Sequence, residues 1–165
     1  MPESKPRDLK DIYGRPGFKL RRAHQIAQAI FMEECKAFDL TPTQYGVLFV
    51  LSLRPGLDQI SLARLLGLDR STTGMVVGIL AARDLVRRTV DPRDKRKRTL
   101  AVTAAAAKLI DEVQPALRRA QERLLAPFAP TERQTLLDLL DRLLEIGTSE
   151  TRAPLRPRLK RAAND

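Results

Sequence analysis

The sequence predicts a mainly α-helical fold that contains one small β-hairpin. Apolar residues recur at helical spacing through most of the chain, which indicates a series of amphipathic helices. Two β-like runs, residues 85–90 and 99–103, lie close together. Between them the chain reads DPRDKRKR, and five cations in eight residues suit the solvent-exposed tip of a hairpin. The fold is therefore expected to be helical with a basic hairpin.

Two short helices are predicted to precede the hairpin. Gly67 is placed to end the first and Asp69 to cap the second, which should run over residues 70–83. The second helix should have one apolar, buried face and one small, acid-free face that can approach a nucleic-acid groove. The predicted buried face comprises Met75, Val76, Ile79 and Leu80, and the predicted outward face comprises Arg70, Ser71, Thr73, Gly74, Val77 and Gly78. Helix, turn, helix and basic-tipped hairpin is the order of a winged helix-turn-helix.

Four sequence elements make this pattern specific: LARLLGLDRST, then DLVRR, then DPRDKR, and a closing LAVT. Together they resemble the MarR family of transcription regulators, and the resemblance covers about residues 16–146. It implies a homodimer on pseudo-palindromic double-stranded DNA, with each recognition helix in a major groove and each wing in a flanking minor groove. It also implies that Asp94 and Arg96 form the wing motif, in which the aspartate orients the arginine.

DNA contacts are predicted at the start of the second helix and along the hairpin tip. Each stretch also has a simpler interpretation, as an ordinary helix start or a solvated loop, but the two occur together at winged-helix spacing. The chain departs from the common family pattern at Gly74 and Met75, where Thr and Arg are frequent. The predicted contact residues are Arg70, Ser71, Thr72, Thr73, Arg93, Asp94, Lys95, Arg96, Lys97 and Arg98.

Composition narrows the class of protein. The chain has 165 residues, of which 43% are hydrophobic, and a net charge of +10, which favours a polyanionic partner, nucleic acid first. An incidental basic surface is the alternative. No run of 18 apolar residues and no signal-peptide core occurs, so we expect a cytoplasmic protein without membrane association. No phosphate-binding loop, metal-ligand cluster or catalytic spacing occurs, which predicts a non-enzyme without cofactor or metal.

The domain organisation follows from these elements. The two chain ends are polar or basic and contain proline, which predicts flexible segments. Between them lies one MarR-like winged-helix domain, whose outer helices dimerise according to the resemblance. The predicted ranges are 1–15 for the arm, 16–147 for the domain, about 41–103 for the DNA-binding core, about 16–38 and 104–147 for the dimerisation helices, and 148–165 for the basic tail.

Local signals predict several helix ends. Thr41 and Gln44 form a capping box around the start of a helix, and Thr131 is predicted to cap the last helix. Asp84 stands where the family usually has Gly, and Asp tolerates the left-handed backbone that this turn needs. The last helix is rich in leucine, which implies burial on two sides.

An effector site is predicted along one edge of the first long helix. Arg21, His24 and Gln28 are spaced to converge on an anionic group, while Phe31 and Tyr45 supply an aromatic wall. A lone histidine at the edge of an apolar face has an equally good structural interpretation. Since the MarR resemblance implies phenolic and aromatic carboxylate ligands, the predicted small-molecule effector is an aromatic carboxylate or its coenzyme A thioester.

The sequence therefore predicts a ligand-responsive, homodimeric transcription repressor. One alternative is an oxidant sensor acting through Cys35, although Glu33 and Glu34 beside it disfavour a thiolate. Another is a sequence-tolerant DNA-coating protein that binds through charge alone. A small-molecule binding protein with an incidental basic surface is a third.

Overall fold

The computed structural model describes residues 8–90 and 98–150, with side chains up to Glu145 in the last helix. The described chain is mainly helical, with one two-stranded antiparallel sheet. In order, its elements are α1 (Leu9–Tyr13), α2 (Pro16–Glu34), a 3-10 turn (Lys36–Phe38), α3 (Pro42–Leu53), α4 (Gln59–Leu66), α5 (Arg70–Ala82), β1 (Val86–Val90), β2 (Arg98–Val102), α6 (Ala104–Leu125) and α7 (Pro130–Glu150).

The segment from α3 to β2, called here the helix-turn-helix lobe, begins each of its helices at a side-chain cap. Thr41 Oγ1 accepts a hydrogen bond from the Gln44 N–H, and Gln44 Oε1 accepts one from the Thr41 N–H, as the capping box predicted. Asp58 and Asp69 cap α4 and α5. Gly67 ends α4 in the left-handed conformation, and the chain bends by 108° between the two helices.

The hairpin closes this lobe. β1 pairs with β2 from Val86 opposite Val102 to Val90 opposite Arg98. Asp84 turns the chain from α5 into β1 with a φ of 54°, which confirms the left-handed residue predicted there. The helices and the hairpin enclose one apolar core, whose buried members include Leu40, Val47, Leu48, Leu51, Leu62, Val76, Val77, Leu80, Leu85, Val86 and Leu100.

The outer helices α2 and α7 bury much less of their apolar surface, whereas α6 has several buried residues, among them Ile110 and Val113. A second, smaller core forms where Cys35, which follows α2, meets Val113 and Ala116 of α6. Within the described residues, α2 itself has no buried side chain. The leucines of α7 other than Leu136 are exposed, with Leu144 at 55%. The described part of one chain thus leaves an apolar face of α2 and of α7 uncovered.

Three predicted boundaries differ from the structure. Residues 9–13 of the predicted flexible arm form helix α1. The first long helix ends at Glu34 and continues as a 3-10 turn. Thr131 lies inside α7 and does not cap it, because Glu132 closes the helix start by accepting a hydrogen bond from the Ala129 N–H at 2.7 Å. Among the described helices none is long and apolar enough to cross a membrane alone, although the bent pair α4 and α5 together has the length and composition.

Candidate DNA-reading surface and effector cavity

The outward face of α5 differs from the predicted one. Met75 is 62% exposed and Ile79 is 42% exposed, whereas Thr73 and Val77 are buried. The prediction that the first pair is buried and the second pair faces outward is therefore wrong. A buried threonine is tolerated because its hydroxyl donates to the Asp69 carbonyl at 2.8 Å and so keeps its hydrogen bond inside the protein. Thr73 is accordingly removed from the DNA-facing residues.

The remaining residues at the start of α5 are not equally available. Arg70 and Ser71 are exposed. Thr72 is engaged by the helix cap, because its hydroxyl donates to Asp69 Oδ2 at 2.6 Å and its N–H donates to Oδ1 at 2.8 Å. These bonds stabilise the carboxylate and hold the pKa of Asp69 below its ordinary value. The charged Asp69 carboxylate thus occupies this helix start, and Arg70 is the exposed cation beside it.

The hairpin adds cations beside α5. Arg98 at the start of β2 is exposed, as predicted for a contact residue. Arg87 and Arg88 of β1 are exposed as well, and the sequence reasoning missed both. Their signal in the sequence was the pair of adjacent arginines within the β-like run VRRTV, next to the basic hairpin tip. The other predicted wing residues, Arg93, Asp94, Lys95, Arg96 and Lys97, lie outside the described residues.

Two glycines of α5 each lie beside a polar side chain from a neighbouring element. Gln59 Nε2 of α4 donates to the Arg70 carbonyl at 3.2 Å. A Cβ added at Gly74 would lie 2.9 Å from that nitrogen, so a larger residue would displace Gln59. Arg88 Nη2 of β1 would lie 3.8 Å from a Cβ added at Gly78. The polar groups flanking α5 therefore come in part from α4 and β1.

A cavity of about 590 Å³ lies between α2, α3 and α6. Its wall is aromatic: the ring centroids of Phe31 and Tyr45 are 6.4 Å apart, and Tyr45 stacks on Phe49 at 5.7 Å. Gln114 Nε2 donates to the Tyr45 hydroxyl at 3.2 Å, which fixes the ring from the α6 side. Polar side chains from both long helices complete the lining: His24, Gln28, Gln114, Arg118 and Gln121.

The cavity includes four of the five predicted ligand residues, namely His24, Gln28, Phe31 and Tyr45. Arg21 is the exception, because its guanidinium carbon lies 4.9 Å from the centroid of the Phe18 ring and it does not line the cavity. That assignment is corrected. The cation in the described lining is Arg118 of α6, which sequence reasoning missed. Its signal was the spacing of three polar residues, Gln114, Arg118 and Gln121, along one edge of α6.

Cys35 is fully buried in the second core. Burial raises the pKa of its thiol, and the negative charge of Glu34 raises it further, against a smaller opposing effect of Arg119. Glu34 remains charged because Arg123 and Arg119 donate hydrogen bonds to it at 2.7 and 2.9 Å, which lower its pKa. An oxidant-sensing cysteine needs access and thiolate character, and this environment opposes both.

Comparison with known proteins decides the family. A sequence profile described as the MarR family matches residues 38–97. The putative transcriptional regulatory protein for the hcr operon of Thauera aromatica is 34% identical over 144 residues, which cover 87% of this chain and 86% of that protein. The chain belongs to the MarR family of transcriptional regulators.

Two further MarR-type relatives are informative. The HTH-type transcriptional repressor NicR of Pseudomonas putida is 31% identical over 146 residues, covering 87% of this chain and 92% of its own. The structure of BpsR from Bordetella bronchiseptica, whose DNA binding is regulated by 6-hydroxynicotinic acid, superposes with a TM-score of 0.76 at 27% identity. That alignment covers 84% of this chain and 96% of BpsR. The predicted fold, mainly helical with a hairpin wing, is confirmed.

Proposed function

We propose that this MarR-family regulator is a homodimeric repressor that binds pseudo-palindromic double-stranded DNA and is released by an aromatic carboxylate or its coenzyme A thioester. The proposed effector rests on the cavity between α2, α3 and α6, because this cavity combines an aromatic wall with one arginine and one histidine. The repressor NicR and the acid-regulated BpsR, as relatives, support the same reading.

The chemistry of the cavity suits an aromatic acid. Phe31 and Tyr45 offer ring faces to an aromatic ligand, and aromatic pairs add to simple area burial. Arg118 supplies a fork of donors for a carboxylate, and a ring N–H of His24 supplies a further donor. The volume of about 590 Å³ accommodates a small aromatic acid, and a coenzyme A nucleotide would extend outward into solvent. The effector of BpsR, 6-hydroxynicotinic acid, has both features, a ring and a carboxylate.

A short chain of contacts connects the cavity to α5. Pro42 and Tyr45, in the first turn of α3, line the cavity. The turn just before α3 is tied to the end of α5, since Arg83 Nη1 donates to the Asp39 carbonyl at 2.5 Å and lies 3.6 Å from Asp39 Oδ2. We propose that a ligand which displaces the start of α3 also turns α5 through Arg83. A change of this kind weakens DNA binding by favouring the conformer with the wrong helix spacing.

The effector site is tested with operator DNA selected from a random pool by the purified protein. Arg118→Ala and His24→Ala should each keep operator affinity and lose release by a panel of benzoates, cinnamates and their thioesters, as followed by fluorescence anisotropy. Arg21→Ala is the matched control, because it removes an α2 arginine outside the cavity and should be released like wild type. Release of both cavity variants at wild-type ligand concentration would place the effector site elsewhere.

The wing is tested separately from the cavity. Arg96→Ala should weaken operator binding by about 1–3 kcal/mol, and Asp94→Ala by nearly as much, because the family motif uses the aspartate to orient the arginine. Lys108→Ala, an exposed cation on α6 paired with Glu112, is the control and should leave binding unchanged. Full affinity in both wing variants would remove the wing from the mechanism.

Binding through charge alone is the competing DNA function, favoured by the net charge of +10. It predicts equal affinity for operator and random DNA, with a steep loss of both as salt rises. A sequence-reading repressor retains a preference for its operator at physiological salt. A salt titration of both DNAs separates the two functions.

A further inference from the structure

Met75 is the most exposed large apolar side chain of α5, and Ile79, about one turn later, is exposed as well. Apart from Ile79, its neighbours on that side are small: Ser71 one turn earlier, Gly78 nearly one turn later, and Ala82 two turns later. The Met75 side chain is 62% exposed, although methionine is an apolar residue that ordinarily packs inside. The fold therefore holds an unpaired apolar side chain at the centre of a surface whose surroundings are basic.

We propose that Met75 is a specificity-determining residue that recognises thymine through its C5 methyl group in the major groove. This inference rests on the proposed DNA-binding function. In the major groove, thymine is distinguished by its methyl group, and apolar side chains read that group by contact. Methionine suits the contact because it is long, unbranched and polarizable. The small residues around Met75 allow the helix to approach the base edges closely.

The charge around Met75 favours DNA over an apolar protein partner as the occupant of this face. Arg70 lies at the start of α5, and Arg88 of β1 lies beside Gly78 on the same outward side. Arg87 and Arg98 of the hairpin are also exposed. An apolar side chain surrounded by cations matches a major groove, where thymine methyl groups lie between two rows of phosphates.

The flanks of this face explain why α5 offers so little hydrogen-bonding readout of its own. Gln59 lies over Gly74, at the edge of the outward face that adjoins α4, and its amide is held there by the Arg70 carbonyl. Thr72 is committed to the Asp69 cap, and Thr73 is buried. The contact that remains in the middle of the helix is apolar, so thymine methyl groups are the feature it can distinguish.

The test replaces thymine by uracil, one position at a time, in the operator selected by the wild-type protein. Uracil removes only the methyl group and keeps every hydrogen-bonding group of the base. We expect one or two positions in each half-site at which uracil weakens wild-type binding about fourfold, the ratio that corresponds to ~0.8 kcal/mol for one buried methyl-sized group. Met75→Ala should bind the thymine operator more weakly than wild type does. Its affinity should no longer change when uracil replaces thymine at those positions.

The control is Met32→Ala, which truncates an exposed methionine on α2 and should keep the uracil effect unchanged. Both positions are exposed, so we expect both variants to fold, and thermal melting checks this. The inference is overturned if wild type binds every uracil operator as tightly as thymine, or if Met75→Ala keeps the full uracil effect. If wild type shows no preference for any DNA sequence over random DNA, the proposed repressor function fails instead, and the two failures are thereby distinguished.

Discussion

The helix-turn-helix lobe and the outer helices α2 and α7 differ in how much of their apolar surface is buried within one chain. In the lobe, each helix has a side-chain cap and contributes a leucine that is fully inaccessible, namely Leu48, Leu62 and Leu80. In α7 the described leucines remain largely exposed, with Leu137 at 46%. The lobe therefore satisfies its hydrophobic surface within one chain, whereas the outer helices leave theirs for another surface to cover.

This difference shows which part of the molecule one chain can stabilise alone. Burial of apolar area is the main favourable term in folding, and the lobe concentrates it in one core. The exposed apolar residues of α2 and α7 gain that term only on association, so the stability of these helices should depend on protein concentration. Variants in the two regions should accordingly fail in different ways.

The largest expected effect is in the lobe. Leu80→Ala removes a fully buried side chain of α5 and leaves a cavity, which should lower the free energy of unfolding by about 2–5 kcal/mol. Urea denaturation at several protein concentrations measures it, and the loss should be the same at each concentration because the core belongs to one chain. Leu53→Ala, at the exposed end of α3, is the control and should change little. A loss at Leu80 that varies with protein concentration would contradict the comparison.

The next effect is in the outer helices. The double variant Leu137→Glu and Leu144→Glu places charges on the exposed apolar side of α7, where they would be desolvated in a dimer. We expect sedimentation velocity to show monomers at micromolar concentration while wild type is dimeric, and operator binding to weaken with dimer loss. Arg142→Glu introduces the same charge change at another exposed position of α7 and serves as the control. An intact dimer in the double variant would place the interface elsewhere.

The same contrast decides what the sequence predicted well. Helix ends in the lobe were predictable because they are local: the capping box at Thr41, the stop at Gly67 and the left-handed residue at Asp84 all involve neighbouring residues. The buried face of α5 was not predictable in this way. The Thr73 hydroxyl donates a hydrogen bond to the Asp69 carbonyl at the start of the same helix, so this polar residue can lie in the core. Periodicity alone places the apolar stripe about one residue off when a threonine replaces an aliphatic residue within it.

The cavity between α2, α3 and α6 shows the same limit. Residues on the two elements that were considered together, His24 and Gln28 of α2 with Tyr45 of α3, do line it. Arg21 does not, and Arg118 of α6 does. Which edge of α6 faces α2 depends on the packing of helices that are far apart in the chain, as in the contact between Arg119 and Glu34, which are 85 residues apart. The spacing of residues along α6 does not indicate which distant helix that edge packs against.

A smaller effect should follow from the cap of α3. Thr41→Ala removes the acceptor for the Gln44 N–H, and it should lower the free energy of unfolding by about 0.5–2 kcal/mol. Thr41→Ser keeps the hydroxyl and should restore most of the stability, which makes it the matched control. Because α3 also lines the cavity, comparison of effector release by the two variants shows whether the cap contributes to the site. Equal stability of Thr41→Ala and wild type would show that water replaces the cap.

The smallest effect concerns the contact between α2 and α6 and depends on pH. Hydrogen bonds from Arg123 and Arg119 hold the pKa of Glu34 below its ordinary value of 4.5. A carboxylate with a lowered pKa in the folded state contributes stability that is fully present above its unfolded pKa and is lost as the pH falls through the folded pKa. Wild type should therefore exceed Glu34→Gln in stability at pH 7, and the difference should shrink as the pH falls below 4.5.

Glu33→Gln is the control for this experiment, because Glu33 is 65% exposed on its side chain and receives a single bond, from Arg123, at 3.0 Å. Its difference from wild type should be smaller at pH 7 and should change less with pH, since an exposed ion pair contributes little. Urea denaturation of wild type, Glu34→Gln and Glu33→Gln between pH 3 and pH 7 measures the free energy of unfolding of each protein as a function of pH. Parallel stability curves for wild type and Glu34→Gln would show that the contact between α2 and α6 depends on packing around Cys35, Val113 and Ala116 and not on this charge.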